Sequence, residues 1–218
     1  MIQKLLAVAL ISLSLLLQTR AAMTHPHVFV DARIDVGVDR RGMLQVIHVT
    51  WRFDQFHTLY ILSFDGITPT EDGHLNPSDQ EALSASYTDW QGGFNGFAKL
   101  LIDGALVALE PPSAVSARLQ NDQLEISFSR VLSSPANLTD AKAEIEIYDA
   151  TYYHDIAMAA SPRILGDAQG CHASLLPFDP DSLTASAETA LAELEKEQSS
   201  TVEDVGRLFA DRITLSCE

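Results

Sequence analysis

Lysine and arginine are scarce: 14 of them stand against 30 aspartates and glutamates, for a formal net charge of −16. Such a surface repels phosphate backbones and anionic lipid heads, which argues against nucleic acid and membrane surfaces and leaves cations and basic partners open. Catalytic signatures are missing too: the chain has no G-x-S-x-G, no P-loop, no G-x-G-x-x-G and no H-E-x-x-H. The chain therefore reads as a binding protein and not as an enzyme. Beyond the N-terminus no stretch approaches the roughly 20 consecutive apolar residues of a spanning helix, so no span is expected in the remainder.

The N-terminus is different. Lys4, the apolar run Leu5 to Leu17 and the small residues Ala21 and Ala22 read as a secretory signal peptide over residues 1–22, with a retained anchor as the alternative. The expected product is a single mainly-β periplasmic domain over 23–218. Losing Lys4 and Arg20 takes its charge from −16 to −18. In an oxidising compartment Cys171 and Cys217, the two cysteines of the chain, read as one disulfide closing a loop of roughly 45 residues. A Cys/His metal site with His172 is the alternative to that pairing.

From Val28 to Val36 apolar residues fall on alternate positions, with His27, Phe29, Asp31, Arg33 and Asp35 on the other face, as in a half-buried strand. A turn at Asp39-Arg40-Arg41-Gly42 leads into a second alternating run from Met43 to Phe53. Asp103-Gly104 and Asn121-Asp122 mark two more hairpins, and Ala143 to Tyr148 a further strand. Ser78 with Glu81 predicts a capped helix over Ala82 to Trp90, and Ser200 with Glu203 another ahead of Val205. Ala185 to Lys196 is a third helix, and Cys171 is expected to pair with the Ile213 to Cys217 strand. The whole predicts an antiparallel β-sandwich with one internal helix and a C-terminal helical pair enclosed by the disulfide.

The histidines carry the chemistry. His25 and His27, two apart on extended chain, point the same way about 6.6 Å apart, within reach of one ion. If the first hairpin turns at Arg40-Arg41, paired residue numbers sum to 81, which sets His27 opposite Asp54 and His25 near His57. Imidazoles with one carboxylate suit zinc, nickel, cobalt or copper better than calcium. Asp31 is too far along the strand for the same ion and is expected to pair with a cation. His154, in Tyr148-Asp149-Ala150-Thr151-Tyr152-Tyr153-His154-Asp155, is a further candidate ligand. The candidate metal set is thus His25, His27, Asp54, His57 and His154. If cleavage follows Ala22, the new terminus Met23-Thr24-His25 can also enclose copper(II) or nickel(II) in a square plane. His48, His74 and His172 read as structural.

The segments His25-Pro26-His27-Val28-Phe29-Val30-Asp31, Thr50-Trp51-Arg52-Phe53-Asp54-Gln55-Phe56 and Ile147-Tyr148-Asp149-Ala150-Thr151-Tyr152-Tyr153, with the late cysteines, resemble a bacterial periplasmic family of unknown function. Its members are commonly labelled "ABC-type transport system, periplasmic component" and usually carry Pro where Ala150 stands. The resemblance implies association with a membrane transporter for nickel, cobalt or zinc. It does not imply a two-lobed solute-binding fold, since the chain is too short and lacks the alternating βα pattern. A metal-free interaction module that docks on a transporter or envelope partner is the first rival reading, and an exported hydrolase using acidic groups and a metal-bound water is the second.

Overall fold

In the computed structural model, which describes residues 26–90, 94–194 and 202–218, eleven strands form two sheets with helices at their edges. The predicted signal peptide, His25 and Ser200 lie outside the described residues. The first sheet runs β5 (Ser113–Gln120), β6 (Gln123–Asn137), β2 (Met43–Phe53), β1 (Val28–Val38), β8 (His154–Met158), with β9 (Arg163–Leu165) also against β1. The second runs β10 (Cys171–Leu176), β11 (Asp211–Cys217), β7 (Ala143–Ile147), β3 (Ala98–Ile102), β4 (Ala105–Leu106). Inner faces of both sheets meet in one core, where Ile34, Leu44 and Ile126 of the first sheet and Leu100, Ile145 and Ile213 of the second are fully buried. The mainly-β sandwich read from the sequence is therefore the fold. Pairing is antiparallel except at β8 and β9, which run parallel to β1.

Alternation puts Val28, Val30, Ala32, Ile34 and Val36 inside, as expected, and leaves Phe29, Asp31 and Arg33 exposed. The register of β1 on β2 is different from the expected one. Pairs such as Val30↔Phe53 and Asp31↔Arg52 sum to 83 and not 81. The turn closes as Asp39–Gly42, where Gly42 N–H donates to the Asp39 carbonyl at 3.0 Å, and a bulge at Gly37/Val38 takes up the slack. A two-residue slip keeps every side chain on its face, so the core pattern cannot distinguish the two registers. Asp31 does find its cation, in an ion pair with Arg52 directly across the ladder.

Both dipeptide turns hold. Asp103 and Gly104 have φ of 48° and 81°, and Asn121 and Asp122 have 52° and 59°, the left-handed pair a tight hairpin demands. The helices need correction. An unanticipated helix α1 (Gln55–Phe64) follows β2 directly, with Asp54 as its N-cap. Helix α2 (Pro77–Ser86) is capped by Asn76 and not Ser78, with Pro77 at its first turn, and it ends before Trp90. Between the cysteines lie α3 (Ala185–Leu194) and a 3₁₀ turn over Val205–Phe209, which begins at Asp204 without a side-chain cap. Cys171 and Cys217 face each other across β10 and β11 and are disulfide-bonded. No helix among the described residues is long and apolar enough to cross a membrane.

The disulfide bridges the edge strand β10 to β11 and closes the segment that holds α3. Urea denaturation with and without reductant should show a loss of about 2–4 kcal/mol on reduction. An unchanged midpoint would mean that the closed segment adds nothing to the unfolding equilibrium.

Candidate metal centre

Three pieces of backbone converge at one end of the first sheet: the start of β1, the first turn of α1, and the crossing from β7 in the second sheet to β8 in the first. β8 lies parallel to β1 with His154 beside Val28, and His27 N–H donates to the Tyr153 carbonyl at 2.9 Å. The crossing is organised by Asp149, which is buried. Its Oδ1 accepts from Thr151 N–H and from the Thr151 hydroxyl, both at 2.9 Å. Its Oδ2 accepts from His154 N–H at 3.1 Å and meets His154 Nδ1 at 2.7 Å.

Burial alone would raise the pKa of Asp149, but the hydrogen bonds from His154 and Thr151 outweigh it and hold the carboxyl down at about 2. At neutral pH the group is an anion and only accepts, so His154 Nδ1 is the donor of the contact between them. A carboxylate behind one ring nitrogen is the arrangement that orients metal-ligating histidines.

His57 faces this ring. The two imidazole centres are 6.3 Å apart and the rings are nearly perpendicular, at 85°. With metal–nitrogen bonds of about 2.0–2.1 Å, two imidazoles sharing an ion have ring centres about 5–6.4 Å apart. The observed spacing is at the open end of that range. Burial lowers the pKa of His57, the neighbouring His154 lowers it further, and Asp54 partly restores it. His57 is thus biased toward the neutral form that ligates. Aromatic rings wall the pair, Phe53 at 5.0 Å from His57 and Phe97 at 4.8 Å from His154. Phe97 and Tyr152, two large residues, have left-handed backbones with φ of 58° and 57°, a strain that concentrates at functional sites.

The other candidates are placed as follows. His27 is exposed and its ring lies 4.9 Å from Tyr153, which is in turn 5.1 Å from His154. In the observed register Asp54 stands opposite Phe29, not His27. Its Oδ1 accepts from His57 N–H at 2.9 Å and its Oδ2 from Phe29 N–H at 3.0 Å. It caps α1 and thereby sets the position of His57. Among the described residues no three His, Cys, Asp or Glu side chains gather into a complete metal shell. His48 is bonded to Ser129 on the open sheet face, at 2.8 Å.

Sequence reasoning carried Asp149 only as part of the segment around His154 and missed what it holds. It also missed Gly206 in the C-terminal segment, whose N–H donates to the Ala150 carbonyl at 3.2 Å. A Cβ there would lie 1.8 Å from the Asp149 carbonyl oxygen, so only glycine lets this segment pack on the crossing. Lys99 with Asp204, at 2.9 Å, and Arg207 with the buried Glu146, at 2.8 Å, fasten it there.

The family model described as "Protein of unknown function (DUF1007)" matches residues 10–217. The chain belongs to that family. No curated protein matches it.

The depressed Asp149 carboxyl has a sign that can be checked. Its folded pKa, about 2, lies below the ordinary value of 3.8. It therefore contributes stability that is full above pH 4 and lost as pH falls from 4 to 2, an amount of roughly 2 kcal/mol. Acid titration of unfolding free energy for wild type and Asp149→Asn should show the curves converging over that interval. Parallel curves would remove Asp149 from this role.

Proposed function

We propose that this protein is an exported accessory protein that binds a divalent transition metal at His57 and His154 and works with a membrane metal transporter. The single observation that carries the reading is the imidazole pair with Asp149 behind one ring. His27, just before β1, and His25, two residues before it in the sequence, are the further imidazoles that a shell would draw on. Neutral imidazoles favour zinc, nickel, cobalt or copper over calcium or magnesium. Export is supported by the Leu5 to Leu17 run behind Lys4 and by the disulfide, which belongs to oxidising compartments. The acidic surface raises the local concentration of cations at the site.

The second reading is an interaction module that binds no metal. The large apolar residues left exposed on α1 favour it.

Calorimetric titration of nickel, zinc and copper into metal-stripped protein separates the two. Binding should weaken at least tenfold in His57→Ala and in His154→Ala, about 1.4 kcal/mol or more. His48→Ala should match wild type. Affinity should drop as pH falls below about 6.5, where protons compete for imidazole nitrogen. Asp54→Ser, which can still cap α1, should retain binding. No heat from wild type hands the case to the interaction module, and unchanged affinity in both histidine variants places the metal elsewhere.

A further inference from the structure

Helix α1 is apolar on both sides, and one side is uncovered. Thr58 and Leu62 are buried, with the Thr58 hydroxyl accepting from Leu124 N–H of β6 at 2.9 Å. Phe56, Leu59, Tyr60 and Phe64 are 88%, 63%, 63% and 78% exposed. At 3.6 residues per turn these four fall within a stripe about 140° wide. They leave on the order of 500 Å² of apolar surface in water. A helix apolar all round belongs in an interior, and a patch of this size on one element marks an interaction site.

Charge decides what covers it. From residue 53 to residue 98 there is no lysine or arginine, while Asp54, Asp65, Glu71, Asp72, Asp79, Glu81 and Asp89 are all acidic. Asp65, Glu71 and Asp72, next after the helix, are exposed. A second copy, itself at −16, would bring like charge against like. Anionic lipid is repelled in the same way, and α1 lacks the Lys/Arg face of helices that lie on membranes.

We propose that the exposed face of α1 is the docking surface for an apolar helix of a protein partner flanked by lysine or arginine. The apolar anchors of such a helix would lie along Phe56, Leu59, Tyr60 and Phe64, and its basic flanks would meet Asp65, Glu71 and Asp72. The docked partner would sit beside the imidazoles, because His57 is on the same helix and stacks with Tyr60 at 5.9 Å. Identifying this partner as the donor or acceptor of metal rests on the proposed function; the surface itself does not.

The test uses the purified full chain in EDTA and two fluorescent helical peptides of about 18 residues, or five turns. Both carry the same Leu/Phe stripe, one with lysine and one with glutamate on the remaining faces. The lysine peptide should bind at least tenfold more tightly than the glutamate peptide by anisotropy, and less tightly as salt is added. The double variant Phe56→Ser, Phe64→Ser keeps every charge and touches only exposed positions. It should lose at least tenfold in affinity with an unchanged circular dichroism spectrum. Four results would each overturn the proposal: equal binding of both peptides, undiminished binding by the variant, dimers in sedimentation velocity that the variant abolishes, or attachment to neutral phosphatidylcholine vesicles in place of the peptide. The measurement is made without metal and with His57 and His154 intact. Failure of docking and failure of metal binding are therefore seen separately.

Discussion

The four hydrogen bonds to the Asp149 carboxylate hold the architecture of the candidate site together. The chain crosses from one sheet to the other at this residue, and a crossing has no ladder to satisfy its backbone groups. Asp149 supplies the missing acceptors to Thr151 and His154. The same contacts fix the His154 ring and start β8 in register with Val28 of β1. From the other side, the C-terminal segment reaches the crossing through Gly206 and is held by Arg207 on the buried Glu146. The disulfide at the far end of β11 ties the same segment into the second sheet. Loss of the Asp149 anion would therefore be felt in the histidine, in the β1–β8 pairing and in the C-terminal packing together.

The second constraint is the cap of α1. Asp54 ends β2 and begins the helix in one residue, and its side chain bridges the two by accepting from Phe29 of β1 and His57 of α1. This brings His57 to the end of the sheet where β8 starts. Behind the imidazoles the aromatic core is continuous, from Phe53 and Phe97 to Trp51, which lies 4.6 Å from Phe128 and 5.4 Å from Phe97. The pair is thus seated on aromatic packing, and His57 in turn stacks with the exposed Tyr60 of α1.

Much of the fold was legible because its signals are local. Period-two alternation announced β1 and β2, and left-handed dipeptides announced two hairpins. Helix α1 was not, for a physical reason. Its residues Phe56, Thr58, Tyr60 and Ile61 favour strands, and with both faces apolar no 3.6-residue pattern stands out. Asp54 was the one available signal, an N-cap residue directly after the alternation stops. In α2 the Asn76-Pro77 pair outweighed Ser78, since proline at the first helical position and asparagine before it are the stronger start.

By itself the sequence determined which faces are buried, where the tight turns fall, and that the late cysteines pair across neighbouring strands. These follow from spacing along one chain. Only the tertiary structure decided the register of β1 on β2, since a slip of two preserves every face and the choice lay with the turn and its bulge. It also decided the company of the histidines. His57 and His154 are far apart in sequence and meet because a helix cap and a sheet crossing end at the same place. Asp54, expected beside His27, is turned to backbone donors, because a helix N-terminus offers unpaired N–H groups that a carboxylate satisfies at short range.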